Sequence, residues 1–218
     1  MVDSHQDKWW LTLLNPADEH GKRRTSLLQA AFDIISEAGF EGLRTRAVAE
    51  RAGVNIATLH YYFSSKQALI EGVAQLIGAR FVTLHGLAPR PSGFPALDRL
   101  RQEFSDGRYY LRQHPEMLLV LQEFTLRGKR DPEVQKIVDQ MNAHWRFGVE
   151  QMVQQGTADG TFRADIAPTE MLLMLMSIFS GTVAFSNAQI EAIERNTVAW
   201  ILADKVKKKL GKPAGAKK

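Results

Sequence analysis

Two short helical segments, joined by the three residues 53–55, restrict the folds available to this 218-residue chain. The first, TRAVAERA, begins at Thr45, whose hydroxyl is suited to cap a helix, and Gly53 is suited to end it after about two turns. The second is predicted to run from Ile56 to Tyr62, with Asn55 as its cap. Two helices of this length with this turn have the dimensions of a helix-turn-helix, whose second helix enters the major groove of DNA.

Four ring-bearing residues, HYYF at 60–63, are consecutive at the end of the second segment. Consecutive residues point all round a helix, so some of these rings must face outwards. We expect Leu59 and either Tyr62 or Phe63 to pack inwards. The opposite side would then offer five residues to a groove or a phosphate strand: Asn55, Ile56, Thr58, His60 and Tyr61. The alternative is a small aromatic helix inside an all-helical core.

The flanking segments also have the periodicity of amphipathic helices. Apolar residues at the i, i+3, i+4, i+7 spacing predict a first helix over residues 22–38, ended by Gly39. A fourth helix is predicted to begin at Ser64 or Ser65, because Ser64 and Gln67 match a capping box. Between positions 22 and 66, seven basic residues face four acids, a surplus that suits an anionic partner.

Residues 24–73 resemble the DNA-binding domain of TetR-family transcriptional repressors. The most specific parts are AVAERAGV, TLHYYF and the pair Ser65 and Lys66. The resemblance implies that Thr45 and Lys66 contact phosphates and that Tyr61 holds the DNA backbone.

The same resemblance implies which residues face bases or nearby phosphates, namely Asn55, Ile56, Thr58 and His60. Ile56 and His60 depart from the family pattern, in which Lys or Arg and Tyr are frequent at these two positions, so the operator sequence stays open. An isoleucine could contact a thymine methyl. The predicted DNA-binding set is Thr45, Arg46, Asn55, Ile56, Thr58, His60, Tyr61 and Lys66.

The rest of the chain also has helical periodicity. The stretch HGLAPRPSGFP, with three prolines, marks a domain boundary. A fifth helix should end before Pro115, a sixth should begin around residues 114–116, and a seventh should run from Pro132 to near Gly156. Residues 117–121 are apolar on every side and are expected to lie deep. An eighth helix follows the loop GTADGTFRADIAP, and a ninth covers about residues 190–201.

The predicted fold is therefore all-α, with about nine helices. A three-helix, helix-turn-helix domain at residues 21–73 precedes a larger ligand-binding and dimerisation domain at 74–210. Residues 1–20 form an N-terminal extension whose Trp9 and Trp10 we expect to dock on the protein or its dimer mate; a disordered arm is the alternative. Residues 211–218 form a basic tail.

Residues 171–190 carry no charge, which by length alone permits a membrane span. Polar residues such as Ser177 and Ser180 dilute this stretch, and a helix buried partly by its own domain and partly by a partner has the same composition. We therefore expect no membrane association and a symmetric homodimer. The predicted interface residues are Ser177, Gly181, Val183, Ile190, Ile193 and Ile201.

The larger half is rich in methionines and rings, which could form plain core or line a small-molecule pocket. If a small apolar or aromatic effector binds there, its predicted contacts are His85, Phe104, Tyr109, Met117, Leu121, Met141, His144, Trp145 and Met174. The expected mode of regulation is repression that the effector relieves. The effector would stabilise a conformation whose two recognition helices have the wrong separation for DNA.

Composition indicates the cellular compartment and shows where the net charge lies. The absence of cysteine excludes disulfides and favours a reducing compartment, and Asp3 and Asp7 do not suit a signal peptide, so a cytoplasmic location is expected. The net charge of +4 comes from a tail: residues 205–218 hold seven lysines, and the remaining 204 residues carry a net charge of −3.

The sequence has no HExxH, G-x-S-x-G or glycine-rich phosphate loop, so we expect no enzyme, no cofactor and no metal. Two alternatives stay open: a ligand-independent DNA-binding factor or activator, and a helical small-molecule carrier or enzyme without a DNA function.

Overall fold

The structure, a computed structural model, describes residues 17–85 and 94–210. These residues form ten α-helices, with a single 3₁₀ turn at Thr182–Ala184 after the eighth. The helices are α1 (Glu19–Gly42), α2 (Thr45–Arg51), α3 (Ile56–Tyr62), α4 (Lys66–His85), α5 (Ala96–Gln113), α6 (Pro115–Gly128), α7 (Pro132–Ala158), α8 (Pro168–Gly181), α9 (Asn187–Ile201) and α10 (Asp204–Leu210). The predicted all-α class is confirmed, and α10 adds one short helix to the nine expected.

The helices pack into two compact units. Among the described residues, one unit contains 17–85 and 115–141, and the other contains 94–114 and 142–210. These units are defined by packing alone, so the division into functional domains at 21–73 and 74–210 stays a prediction.

The first unit is built around α1, which packs against α2, α4 and α6. Leu28, Phe32 and Ile35 on its apolar face are fully buried, as their helical spacing predicts. At its end, the Phe40 ring meets the Phe124 ring of α6 edge-on at 5.0 Å. The α1 helix therefore forms the centre of this unit.

Gly39 ends the regular part of α1, as predicted. Its φ of +63° lies in the left-handed region, and the following backbone N–H, from Phe40, donates to a carboxylate oxygen of Glu123 at 3.3 Å. At the other end, α1 begins three residues earlier than predicted, because the Asp18 side chain caps it by accepting from the Gly21 N–H.

The second unit has a core of apolar side chains from α5, α7, α8 and α9. The half-buried pair Arg108 and Glu194 joins α5 to α9. Between α5 and α7, the Trp145 indole N–H donates to the Glu103 carboxylate at 3.1 Å. Polar bonds thus link the helices around this core.

Several boundaries and burials differ from the sequence predictions. The α7 helix continues through Gly156 and ends at Ala158. Residues 117–121 do not all lie deep, because Met117 and Val120 are buried whereas Leu119 is 51% exposed. This segment is apolar on every side but is buried on only part of its surface.

The uncharged stretch 171–190 does not form one continuous helix. The α8 helix ends at Gly181, the 3₁₀ turn follows, and α9 begins at Asn187. Within residues 17–85 and 94–210, no helix combines the length and apolarity that crossing a bilayer requires.

Three predictions fall wholly or partly outside the described residues. They concern the docking of Trp9 and Trp10, the basic tail at 211–218, and most of the proline-rich boundary HGLAPRPSGFP.

Two glycines of α7 should respond oppositely to alanine. A Cβ at Gly156 would lie 2.3 Å from the Phe162 ring, which is fully buried, whereas a Cβ at Gly148 would meet no atom within 4 Å. We expect Gly156→Ala to lower the free energy of unfolding by about 1–3 kcal/mol through overpacking. Gly148→Ala should raise it by up to about 1 kcal/mol, because alanine favours helix. Denaturant unfolding of both variants checks this, and equal effects would contradict it.

Candidate functional site

The turn between α2 and α3 is held by backbone hydrogen bonds. The Gly53 N–H donates to the Glu50 carbonyl at 3.1 Å, and the Val54 N–H donates to the Ala49 carbonyl at 2.9 Å. Together with φ of +66° at Gly53, this is a Schellman motif, which needs a residue that tolerates the left-handed region. The predicted role of Gly53 is therefore confirmed.

Thr45 does not cap α2, contrary to the prediction. Arg44 occupies the cap position with an extended backbone and no side-chain capping bond, and Thr45 is the first helical residue. The predicted cap lies one residue too late, because the backbone of Thr45 is already helical and Arg44 is the last extended residue. Thr45 is half-buried, and Arg44 and Arg46 on either side are exposed.

Asn55 caps α3 as predicted. Its side-chain oxygen accepts from the Thr58 N–H at 2.8 Å and from the Thr58 hydroxyl at 3.0 Å. Two of the residues predicted to face DNA, Asn55 and Thr58, are thus bonded to each other at the start of α3. This contact gives Asn55 a structural role in addition to any role at the surface.

The α3 helix has an inner and an outer side. Leu59 and Phe63 are buried at 1% and 2% exposure. His60 is exposed, Ile56 is half-buried, and Tyr61 is 74% exposed. The structure therefore resolves the choice between Tyr62 and Phe63 in favour of Phe63 as the buried ring.

A cluster of three rings lies at the end of α3. The Tyr61 and Tyr62 rings meet edge-on with centroids 5.2 Å apart. His20, in the first turn of α1, places its ring 4.6 Å from Tyr62 and 5.9 Å from Tyr61. Sequence reasoning missed His20, since nothing local to it signals contact with residues so distant along the chain.

The basic residues near this surface have different surroundings. Arg51 donates to the Glu37 carboxylate at 2.6 Å, and this bond lowers the pKa of Glu37. Arg24 lies over the Phe63 ring with its guanidinium carbon 5.3 Å from the centroid, and burial lowers the pKa of Arg24. Four others are exposed: Arg23, Arg44, Arg46 and Lys66. Arg44 is outside the predicted DNA-binding set, although it belongs to the basic surplus between positions 22 and 66.

Lys66 is the first residue of α4. The cap of α4 is Ser65, whose hydroxyl accepts from the Ala68 N–H at 3.0 Å. The predicted capping box of Ser64 and Gln67 is therefore wrong, because the helix starts one residue later than that pattern requires. Lys66 follows this cap, on the exposed surface.

The predicted effector contacts fall in both compact units. Met117, Leu121 and Met141 belong to the first, and Phe104, Tyr109, Trp145 and Met174 belong to the second. Within the second, Phe104 and Trp145 both contact the Phe179 ring, with centroids 5.0 and 6.0 Å apart. Met174 is 45% exposed. The side chains of His85 and His144 lie outside the described ones.

The predicted interface residues are divided between surface and core. Ser177 is exposed, Val183 and Ile193 are half-buried, and a Cβ on Gly181 would meet no atom within 4 Å. Ile190 and Ile201 have no exposed surface and belong to the core of their own unit. They pack with apolar side chains of α5, α7 and α8, so neither presents surface to a partner in this structure.

The comparisons with known proteins agree with this geometry. Residues 27–73 match the family model described as bacterial regulatory proteins, tetR family. The transcriptional repressor NicS of Pseudomonas putida is 28% identical over 74% of this chain and 76% of its own length. The repressor KstR2 of Mycobacterium tuberculosis is 24% identical over 69% of this chain and 74% of its own.

With this family model and these repressor relatives, the chain is supported as a TetR-family transcriptional regulator. It is a DNA-binding regulator of the repressor type, and the proteins it matches are regulators rather than enzymes. A solved Rhodococcus sp. protein assigned to the same family superposes with a TM-score of 0.73 at 21% identity, covering 84% of this chain and all of that one. At this identity, the likeness shows a TetR-like fold with its N-terminal helix-turn-helix.

Asn55 provides a test that separates folding from DNA contact in this chain. We expect Asn55→Ala to lower the free energy of unfolding by about 1 kcal/mol through loss of the cap. Asn55→Asp should keep the cap and the stability but weaken DNA binding, since it adds a negative charge to the outer side of α3. Asn55→Ser is the matched control, with a cap and no charge. Unchanged unfolding of the alanine variant would contradict the capping role.

Proposed function

We propose that the chain represses transcription by binding an inverted-repeat operator as a homodimer, and that a small apolar or aromatic effector releases it. The observation that carries the DNA-binding part is the two-sided α3. Leu59 and Phe63 hold its inner side in the core, while Tyr61 is 74% exposed on the outer side. An exposed tyrosine on a short capped helix is available for contact with DNA.

The proposed DNA contacts divide into two groups. Lys66 at the start of α4, Arg46 and Thr45 in α2, and Tyr61 at the end of α3 would hold phosphates. Asn55, Ile56, Thr58 and His60 would lie nearer the bases. This division is supported by the exposure of Arg46, Lys66 and His60 around one helix-turn-helix.

The proposed dimer uses the outer face of α8. Its inner face, with Met171, Leu172 and Leu175, lies in the core of the second unit. On the outer face, Leu173 is 58% exposed, and Met174 and Ser177 are exposed near it. We propose that this face and the half-buried Val183 and Ile193 meet the same residues of a second copy. Ile190 and Ile201 are excluded from the interface because they are internal.

A two-fold axis at α8 and α9 would determine the operator. The same patch on both copies would build a four-helix bundle. The two copies of α3 would then meet successive major grooves, about 34 Å or one helical turn apart. An inverted repeat is the DNA symmetry that matches such a protein.

The proposed effector site is supported by ring-rich packing in the second unit, where Phe104, Trp145 and Phe179 lie together. The relative KstR2 is named a ketosteroid transcriptional regulator, so an apolar small molecule is the class of effector we propose. The effector would act by preferring the dimer conformation with the wrong spacing of recognition helices. The proposed place of action is the cytoplasm.

Selection of bound duplexes from a random-sequence pool tests the DNA-binding proposal directly. The recovered sequence should be an inverted repeat. On that duplex, Lys66→Ala should weaken all sequences alike and reduce the salt slope by about one, whereas Ile56→Ala and His60→Ala should change sequence preference. Lys129→Ala removes an exposed lysine between α6 and α7 and should change neither property. If Lys66 and Ile56 variants behave identically, the division of contacts is wrong.

Gly181→Glu tests the dimer. The monomer has room for the new side chain, since a Cβ at Gly181 meets no atom within 4 Å, so the chain should still fold. Light scattering should show a monomer, and affinity for the selected duplex should fall by about 100-fold or more as bivalent binding is lost. Gly148→Glu is the matched control, because that glycine is equally open but lies on α7. A wild-type monomer that binds the duplex at full strength would refute the proposed interface.

A further inference from the structure

The beginning of α1 contacts the end of α3. This first part of α1 precedes the family match, which covers residues 27–73. The His20 ring lies 4.6 Å from the Tyr62 ring at an angle of 42°. It also meets Tyr61 edge-on, with centroids 5.9 Å apart and planes at 80°. Three rings from two helices therefore contact one another, and the two edge-on pairs, His20–Tyr61 and Tyr61–Tyr62, have a geometry that aromatic pairs favour.

A second contact from the same face of α1 strengthens this packing. Arg24 follows His20 by four residues, which places both side chains on one side of the helix. Its guanidinium lies over the Phe63 ring, directly after Tyr62, and also donates to Gln75 of α4 at 3.5 Å. The end of α3 is thus held from α1 at two successive positions.

Tyr61 depends on this support more than its neighbours do. It is 74% exposed, so few of its contacts lie within the protein. Its identified ring contacts are the Tyr62 ring, at 5.2 Å, and the His20 ring. A side chain held before binding loses less conformational entropy when it meets its target.

We propose that His20 is a positioning residue for operator binding, whose ring holds Tyr61 in the orientation that contacts DNA. The proposal rests on the proposed function, since it requires the outer side of α3 to face the operator. His20 acts through its ring and not through its charge. Asp18 and Glu19 precede it on the same turn, and their carboxylates oppose a phosphate contact at this point.

The test uses the full-length protein and the duplex selected by the wild type. We expect His20→Ala to weaken binding by about two- to tenfold, which corresponds to the loss of aromatic pair contacts. His20→Phe should restore most of the affinity, because it keeps a ring and removes the ionisable group. The salt slope should stay the same in both variants, since no phosphate contact is lost.

A double-mutant cycle tests whether His20 affects DNA binding through Tyr61. In a Tyr61→Ala background, His20→Ala should have little further effect, because the ring it positions is already absent. A merely structural role for His20 would instead weaken binding equally in both backgrounds and lower the thermal midpoint. His114→Ala is the matched control, because the His114 ring also packs on two adjacent tyrosines, 5.7 Å from Tyr109 and 6.5 Å from Tyr110, but directly follows α5. It should leave DNA affinity unchanged.

The outcomes distinguish failure of this inference from failure of the proposed function. If the wild type selects no duplex, both are overturned. If it selects an inverted repeat and His20→Ala binds as tightly as the wild type, the inference alone is overturned. Failure of His20→Phe to restore binding, or a fall in salt slope of about one with His20→Ala, would also overturn it, because the imidazolium charge would then be the contact.

Discussion

The burial of one face of α1 is the constraint on which the DNA-binding surface depends. The α2 and α3 helices have seven residues each and bury few apolar side chains, chiefly Val48 and Leu59. Helices this short are not stable alone in water. They are held because Leu28 and Phe32 of α1 and their neighbours are removed from water, at about 1.5–3 kcal/mol for each large side chain. The outer side of α3 is therefore free of any core function.

The α1 helix also packs against α6, which belongs to the same compact unit. The Phe40 ring meets the Phe124 ring edge-on, and the Phe40 N–H donates to Glu123, so α6 shares a core with α1. A Cβ at Gly39 would lie 2.9 Å from the Glu123 carboxylate, and its φ of +63° is itself unfavourable for other residues. A displacement of α6 would consequently alter the packing at the end of α1, just before α2 begins.

The accuracy of the sequence predictions followed the range of the interactions behind them. Gly39, Gly53 and Asn55 were placed correctly, because a left-handed glycine and an N-cap act within a few residues. Thr45 and Ser64 were each assigned a cap that belongs to a neighbouring position. Several residues in these stretches have side chains able to cap, and the choice among them depends on where the backbone first becomes helical, which packing also influences.

The sequence by itself determined the all-α class, the order of the helices and the resemblance of residues 24–73 to a known DNA-binding domain. Helical periodicity, caps and turns each depend on residues that are close together in the sequence. The tertiary structure decided which apolar faces remain exposed. Ile190 and Ile193 lie in one stripe, yet Ile190 is fully buried and Ile193 is partly exposed. It also brought His20 to Tyr61. Both outcomes depend on which distant helices cover a given face, and a periodic pattern carries no information about that choice.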